Sequence, residues 1–368
     1  MITGLRYGVD LTRGRSTRRL LAFLAFVVAI GFQSISLSAD QRFVALPKIE
    51  NKTVAPRVIY IENPRFPKVE EQDLWDILQS ASDLVQGHFG ITLKMPSDIE
   101  ILNIDDVFVG VVRKKPADFD DSIGDFRNGN VDWEKVRKLL VEQIKKEKDP
   151  LSAQIEFARP YLRPPLAEET LDGFSNAVVE TFKIRLAHWT VAALEDGHPV
   201  IGQVPGRPDL PHNEYGYWAL LTKLGIDAEI ILTNQLVASV EYMPTPVHTS
   251  IRGGITGGST EYNPSSRFGS SVWVSLFPYL SNDNRIIELR KGDTYSRQEA
   301  LSYAGAMLAH EMGHQLFQLG HPWSNPACLM RPAQALDFAS WVNRLDAKAC
   351  QIGSSPAMMP GTSKAPLW

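Results

Sequence analysis

The sequence His310-Glu311-Met312-Gly313-His314 constrains this chain more than any other feature. Residues four apart lie on one face of an α-helix, so both imidazoles can meet a single metal ion. Glu311 can then reach a water molecule beside that ion. His321 offers a third nitrogen a short distance further on. Three protein ligands leave the fourth position of a tetrahedral zinc ion open, which is typical of a catalytic site rather than a structural one.

The five-residue pattern alone has low specificity, because eight histidines in 368 residues produce it by chance in about one such chain in a hundred. The helical context favours the metal site. Ser296-Arg297-Gln298-Glu299 matches a capping box. Helix formers then extend to about Gln318, and Gly320 is expected to end the helix in a left-handed conformation. The alternative is an unrelated α/β domain with ordinary histidines.

The third ligand is open to an alternative. One class of zinc peptidases takes that ligand from a glutamate on a later helix, but no glutamate follows Glu311 in this sequence. Asp337 and Asp346 remain as carboxylate substitutes for His321. His88, His188, His198 and His212 are interpreted as ordinary structural or surface residues.

Cys328-Leu329-Met330 follows the histidine motif. From His310 to Met330 the chain resembles the metzincin clan of zinc peptidases, and its Cys-x-Met resembles the archaemetzincins. The resemblance implies one catalytic Zn²⁺, with Glu311 as general base and Met330 in a turn beneath the metal. It implies the ligands His310, His314 and His321.

The expected fold is a zincin of the α+β or α/β class. It would have a twisted, mostly parallel sheet with an active-site helix, a helical insertion and a small C-terminal subdomain.

The chain departs from the metzincin pattern in three places. Phe317 and Gly320 stand where the pattern has glycine and the third histidine, so His321 comes one residue late. Either the turn holds an extra residue or His321 is not a ligand. Pro322 replaces the first cysteine of the second zinc site of archaemetzincins, so no second zinc is expected. Pro332 replaces the tyrosine that some metzincins use to stabilise an oxyanion.

Residues 1–39 have the composition of a secretory signal peptide. Five arginines and one aspartate come first, then an apolar run from Leu20 to Phe32 and small residues. The run is short for a membrane span, and an uncleaved anchor is the alternative. We therefore expect an exported protein, periplasmic or secreted. Removing five positive charges and one negative charge changes the formal net charge from −4 to −8, which argues against nucleic-acid binding and shows no basic patch for membranes.

The two cysteines both lie in the part that would be exported. An oxidising compartment favours a disulfide between Cys328 and Cys350, worth roughly 3 kcal/mol in the loop-entropy account. Two buried free thiols are the alternative.

The remaining chain is divided into a lead-in at 40–55 and a catalytic domain at 56–368, with a helical insertion at about 115–211. Strands are predicted at 57–61, 91–93, 99–102, 107–109, 227–237 and 271–277, and helices at 69–88, 133–148, 168–195 and 296–318. The Gly/Ser-rich segment 251–271 lacks the Lys-Ser/Thr ending of a phosphate-binding loop. The resemblance to metzincins also implies an edge strand that pairs with extended substrate, and either this segment or 271–277 is expected to provide it.

These features predict an exported zinc metalloendopeptidase that acts on proteins or peptides. Zinc would lower the pKa of its bound water, and Glu311 would transfer the proton to the leaving amine. The alternative function is a non-catalytic exported binding or assembly protein on a zincin scaffold, which the displaced His321 and the missing tyrosine favour.

Overall fold

The computed structural model describes residues 46–64, 66–104, 106–107, 124–125, 130–195, 226–238 and 246–362. The predicted signal peptide lies outside these residues, as do the first part of the lead-in and parts of the predicted insertion. The predicted strand at 107–109 also lies outside them, apart from Val107. The domain boundaries therefore stay a prediction.

The described strands, in chain order, are β1 (Thr53–Val54), β2 (Val58–Glu62), β3 (Thr92–Leu93), β4 (Glu100–Asn103), β5 (Gly124–Asp125), β6 (Asn130–Val131), β7 (Ile230–Thr233), β8 (Val237–Ala238), β9 (Ile255–Thr256), β10 (Gly258–Tyr262) and β11 (Ser270–Ser275). The described α-helices are α1 (Glu71–Phe89), α2 (Trp133–Lys146), α3 (Leu151–Ala158), α4 (Leu171–Glu195), α5 (Val247–Ser250), α6 (Phe277–Leu280), α7 (Asn284–Leu289), α8 (Arg297–Phe317) and α9 (Phe338–Val342). Short 3₁₀ turns lie at Arg159–Tyr161 and Pro356–Met358.

The main sheet has five strands in the order β10-β11-β7-β2-β4. All neighbours are parallel except β10, which runs antiparallel to β11. The central strands β2, β7 and β11 consist largely of buried β-branched and aromatic residues, as strands covered on both faces require. The chain is therefore a mixed α/β protein with a mostly parallel sheet.

Side chains alternate between the two faces of this sheet. Val58 and Tyr60 of β2 join the larger apolar core, whereas Ile59 and Ile61 join a smaller one on the other face. The larger core contains the buried sides of α1 and α8. Helix α8 lies against β10 and β11 as well as α1, so the sheet and α1 together fix the position of this helix.

The contact between α1 and α8 is unusually close at Gly305. A Cβ atom at this position would lie 2.6 Å from the Cβ of Ser80 and 2.9 Å from the carbonyl oxygen of Ile77. The Ser80 hydroxyl also donates a hydrogen bond to the Ser302 carbonyl at 3.3 Å. A glycine is needed here because any side chain would push the two helices apart.

Helices α2, α3 and α4 lie in the predicted helical insertion, together with the short strands β5 and β6. Asp132 caps α2 by accepting from the Lys135 backbone N–H at 3.0 Å, and Val136, Leu140 and Ile144 form its buried side. Two of the three helices match predicted ones, but α3 was not predicted from the sequence. Among the described residues, no helix combines the length and apolar content needed to cross a membrane.

Candidate metal centre

The helix that carries the histidine motif begins at a complete capping box. The Ser296 side chain accepts from the Glu299 backbone N–H, and Glu299 Oε2 accepts from the Ser296 backbone N–H at 2.8 Å. This pair satisfies two backbone donors at the helix start and fixes where α8 begins. His310 and His314 then lie one turn apart on the same face, with their ring centroids 4.8 Å apart.

Three imidazoles converge at the end of α8. His314 Nε2 lies 3.2 Å from His310 Nε2 and 3.0 Å from His321 Nε2. Among the described residues these three form the group able to hold a metal ion, with all ligand atoms within 4.8 Å of one another. A tetrahedral zinc ion with Zn–N bonds of about 2.0–2.1 Å needs nitrogens about 3.3 Å apart, so the donor set fits zinc.

The opposite nitrogens of two rings are held by backbone carbonyls. His310 Nδ1 donates to the Leu329 carbonyl at 2.9 Å, and His314 Nδ1 donates to the Leu319 carbonyl at 2.6 Å. A carbonyl oxygen can only accept, so each Nδ1 must carry the proton. Each Nε2 then presents a lone pair toward the other two rings, which is the tautomer that metal binding requires.

Burial keeps these rings uncharged. Desolvation lowers the pKa of His310 to about 3 and that of His314 to about 4, with the neighbouring histidine contributing at His310. Desolvation also lowers the pKa of His321 well below its ordinary value, and the adjacent histidines add to this effect. Near neutral pH the site therefore offers three neutral nitrogen donors, which a soft-to-borderline cation such as zinc prefers.

His321 reaches the site through a turn that the sequence prediction placed wrongly. Helix α8 ends at Phe317, and Gln318, not Gly320, takes the left-handed conformation, with φ of 51°. The Gln318 N–H bonds to the His314 carbonyl at 2.8 Å. This early turn accommodates the extra residue, so His321 lies beside the other two rings despite its displaced position in sequence.

The two carboxylate substitutes lie elsewhere. Asp337 accepts from Lys291 Nζ at 2.8 Å and from the Tyr161 hydroxyl at 3.3 Å. Asp346 accepts from the Lys348 backbone N–H at 2.9 Å. Neither belongs to the group of ligand atoms described above. His88 is buried on α1 outside that group, and the side chains of His188, His198 and His212 lie outside the described residues.

Glu311 is buried next to the histidines, with 6 % of its surface exposed. The Thr260 hydroxyl on β10 lies 2.9 Å from Glu311 Oε2 and 2.8 Å from the Glu311 carbonyl oxygen, so its one proton is shared between two acceptors. Gly258 of the same strand lies against the Glu311 side chain, since a Cβ there would be 3.1 Å from its Cγ. Strand β10 therefore fixes the carboxylate from one side.

Met330 is fully buried beneath the histidine helix. A Cβ atom at Gly313 would collide with the Met330 sulfur and would lie 2.9 Å from the Phe89 ring. Gly313 thus allows α8 to rest directly on this methionine. The preceding residue, Leu329, supplies the carbonyl that holds His310. A disulfide joins Cys328 to Cys350, with their Cα atoms 4.7 Å apart, and ties this segment to the C-terminal region.

Sequence reasoning missed two aromatic residues at this centre. The His248 ring, on α5, lies 5.2 Å from the His321 ring, and its Nδ1 is buried without a hydrogen-bond partner among the described residues. Trp323 lies 5.1 Å from His321 and 5.5 Å from His248. His248 stands more than sixty residues before His310 and belongs to no recognisable spacing. Only the tertiary structure brings His248 close to His321.

Comparison with known proteins gives one weak structural match. No protein-family model matches the chain, and no curated protein matches it. Among solved structures, the chain is similar to a zinc-dependent peptidase from Methanocorpusculum labreanum (strain Z), at 14 % identity over 79 % of this chain and 94 % of the other. The TM-score of this match is 0.27, which is too low to establish a shared fold.

Proposed function

We propose that this chain is an exported zinc metallopeptidase of the metzincin type. His310, His314 and His321 would bind one catalytic zinc ion, and Glu311 would act as general base. The observation that carries the proposal is the convergence of three imidazole nitrogens within 4.8 Å, with the buried Glu311 directly after His310 on the same helix. Three nitrogen donors with a neighbouring base are typical of zinc hydrolases.

The catalytic roles follow from the arrangement of side chains. Zinc, when bound, would lower the pKa of a coordinated water and polarise the scissile carbonyl. The Glu311 carboxylate accepts a proton from the attacking water and then donates it to the leaving amine, so that an acid and an amine result. Thr260 orients this carboxylate through its hydroxyl group. Met330 packs against Gly313 of α8, and this contact supports its proposed role as the Met-turn residue.

The substrate is a protein or peptide bound in extended form along β10. This strand is the last in the described order of the main sheet, and it carries the residues that contact Glu311. An extended chain can add to such an edge through main-chain hydrogen bonds. Two segments were predicted to provide the edge strand, 251–271 and 271–277. The prediction for 271–277 is wrong, because its strand β11 lies between β10 and β7 and is not at the edge.

Several other features support the proposal. Helix α8 packs on a mostly parallel sheet, as the active-site helix of a zincin does, and the chain after it would be the small C-terminal subdomain. Export rests on the signal-peptide composition of residues 1–39. A disulfide between Cys328 and Cys350 suits an oxidising compartment such as the periplasm or the extracellular space.

The test combines zinc content with hydrolysis of an unstructured protein. We expect one zinc ion per chain and cleavage at neutral pH. Glu311→Ala should retain zinc and lose hydrolysis, because only the base is removed. Full hydrolysis by zinc-loaded Glu311→Ala would contradict the assigned role. Zinc binding without any cleavage by the unaltered chain would instead support the non-catalytic binding protein.

The third ligand has a separate test. His321→Ala should weaken zinc binding, because two nitrogens then remain. Equal zinc affinity in this variant would remove His321 from the ligand set and return attention to Asp337 and Asp346.

A further inference from the structure

His321 differs from the other two histidines in how it is held. His310 and His314 project from the rigid helix α8, whereas His321 lies in the irregular segment that follows. A ligand on an irregular segment needs other contacts to fix it, because each free backbone torsion adds an entropic cost to metal binding. On its N-terminal side, the Gly320 N–H donates to the Ala357 carbonyl at 2.7 Å.

On the C-terminal side, Trp323 is fixed by two carboxylates from the turn between α2 and α3. Asp149 Oδ2 accepts from the Trp323 backbone N–H, and Asp149 Oδ1 accepts from the Ser324 hydroxyl at 2.9 Å. Glu147 Oε2 accepts from the indole N–H of Trp323 at 3.1 Å. Both the backbone and the side chain of Trp323 are thus tied to one turn.

The surroundings of Trp323 leave it little freedom. The residue is 4 % exposed, and its carbonyl accepts from Arg331 Nε at 3.0 Å. Its ring makes edge contacts with Phe157 of α3 at 4.7 Å and with His321 at 5.1 Å. The Trp323 N–H also lies 3.1 Å from the His321 carbonyl. Any movement of Trp323 would therefore move the ring and backbone of His321.

We propose that Asp149 and Glu147 are positioning residues of the metal centre, which hold His321 in place by fixing Trp323. This inference rests on the proposed zinc site. It gives the helices before the catalytic motif a defined role, since their turn sets the third ligand. His321 lies beyond the end of α8, so the helix alone does not fix its position. The contacts of Trp323 with Asp149 and Glu147 supply the missing support.

The test measures zinc affinity in the full chain by competition with a chelator of known affinity, together with the urea-induced unfolding of the zinc-free protein. Asp149→Ala should lower zinc affinity by about 10- to 100-fold, as loss of a ligand-supporting contact does. Asp149→Asn should stay within a few-fold of the unaltered chain. Its amide oxygen can accept from the Trp323 N–H, and its amide nitrogen can donate to the Ser324 oxygen. Glu142→Ala is the matched control, because Glu142 is an exposed acid on α2.

A second readout uses the Co²⁺-substituted protein, whose visible absorption reports the coordination of the metal. We expect Asp149→Ala to alter this spectrum and Glu142→Ala to leave it unchanged. Trp323→Phe removes the donor to Glu147 but keeps the backbone N–H on Asp149, so we expect a smaller loss of zinc affinity. This variant keeps the test decisive if Asp149→Ala does not fold.

The outcomes separate this inference from the proposed function. Unaltered zinc affinity in folded Asp149→Ala, or in Trp323→Phe where Asp149→Ala does not fold, would overturn the positioning role while the zinc site stands. If zinc-free Asp149→Ala is less stable but binds zinc with unaltered affinity, the positioning role is also overturned, because Asp149 then stabilises the fold without acting on the metal site. An unaltered chain that binds no zinc would overturn the proposed function and this inference together.

Discussion

Burial raises the pKa of the Glu229 carboxyl group, whereas its contacts with Arg267 and Arg57 lower it. Its side chain is fully buried, which disfavours the charge, but Arg267 contacts it at 2.7 Å and the backbone N–H groups of Arg57 and Arg267 donate at 2.8 and 2.9 Å. These contacts outweigh desolvation and lower the pKa of Glu229 to about 2. The Glu229 carbonyl also accepts from Gln315 of α8 at 3.0 Å, which links this cluster to the ligand helix.

Glu229 should therefore stabilise the fold in a pH-dependent way. Its pKa in the folded state lies below the ordinary value of 4.5, so its contribution is complete above about pH 4.5 and is lost as pH falls toward 2. Glu229→Gln should lower the free energy of unfolding by about 2 kcal/mol at pH 7, because hydrogen bonds to a charged group are lost. Urea unfolding at pH 7 and pH 3 should show the difference between the two proteins shrinking. A constant difference would contradict the assigned pKa.

Thr260 is expected to act on catalysis rather than on metal binding. Thr260→Val removes the hydroxyl that contacts Glu311 Oε2 at 2.9 Å but keeps the shape of the side chain. We expect kcat for hydrolysis of an unstructured protein to fall about tenfold, which corresponds to about 1.4 kcal/mol. Zinc affinity should not change. Thr260→Ser, which keeps the hydroxyl, is the control, and equal losses in both variants would show that the hydroxyl is not responsible.

Helix α8 illustrates what the sequence could predict at the scale of elements. The capping box predicted where it starts, because a cap depends on residues close in sequence. Its end was predicted at about Gln318, within one residue of the observed end at Phe317, but the left-handed residue is Gln318 and not the expected Gly320. The sequence favours glycine there, but the contacts of the following segment place the turn earlier.

Other elements depend on contacts that a local pattern does not contain. Helix α3 follows Pro150 and is only eight residues long, so its apolar residues do not form a clear periodic pattern. Which of β10 and β11 is the outer strand depends on pairing with β7, far away in the chain. His248 was missed for the same reason, because only tertiary contacts bring it close to His321.

The closeness of α1 and α8 can be tested at Gly305. Alanine is the better helix former by about 1 kcal/mol, yet its Cβ would meet Ser80 and the Ile77 carbonyl. We expect Gly305→Ala to lower the free energy of unfolding by about 1–3 kcal/mol in a denaturant titration. The matched control is Gly87→Ala on α1, where a Cβ meets nothing within 4 Å and should be neutral or stabilising. Similar effects at both positions would mean that the packing is looser than described.

For the whole molecule, zinc would connect parts of the fold that are separate in sequence. Its proposed ligands are held by the carbonyls of Leu319 and Leu329, and Trp323 joins them to the turn between α2 and α3. A metal that binds only the folded state stabilises it by mass action, by about 2.7 kcal/mol at a concentration 100 times its Kd.

We therefore expect the melting temperature to rise with zinc concentration and to fall on addition of a chelator. At 100 times the Kd, the rise should be about 4 °C for a chain of this size, because the entropy of unfolding grows in proportion to chain length. Thermal unfolding followed by circular dichroism at several zinc concentrations provides the measurement. His310→Ala should abolish the dependence on zinc, and an equal dependence in that variant would place the stabilising ion elsewhere.

The pairing of α1 with α8 also has a consequence for biosynthesis. Ser80 and Ser302, which meet across this pair, are 222 residues apart in sequence. At a synthesis rate of about 5–20 residues per second, α1 waits roughly 10 to 45 seconds for its partner helix to be made. During that time the part of α1 that packs on α8, around Ile77 and Ser80, is exposed. Until α8 is made, this apolar surface of the nascent chain is available to holding chaperones.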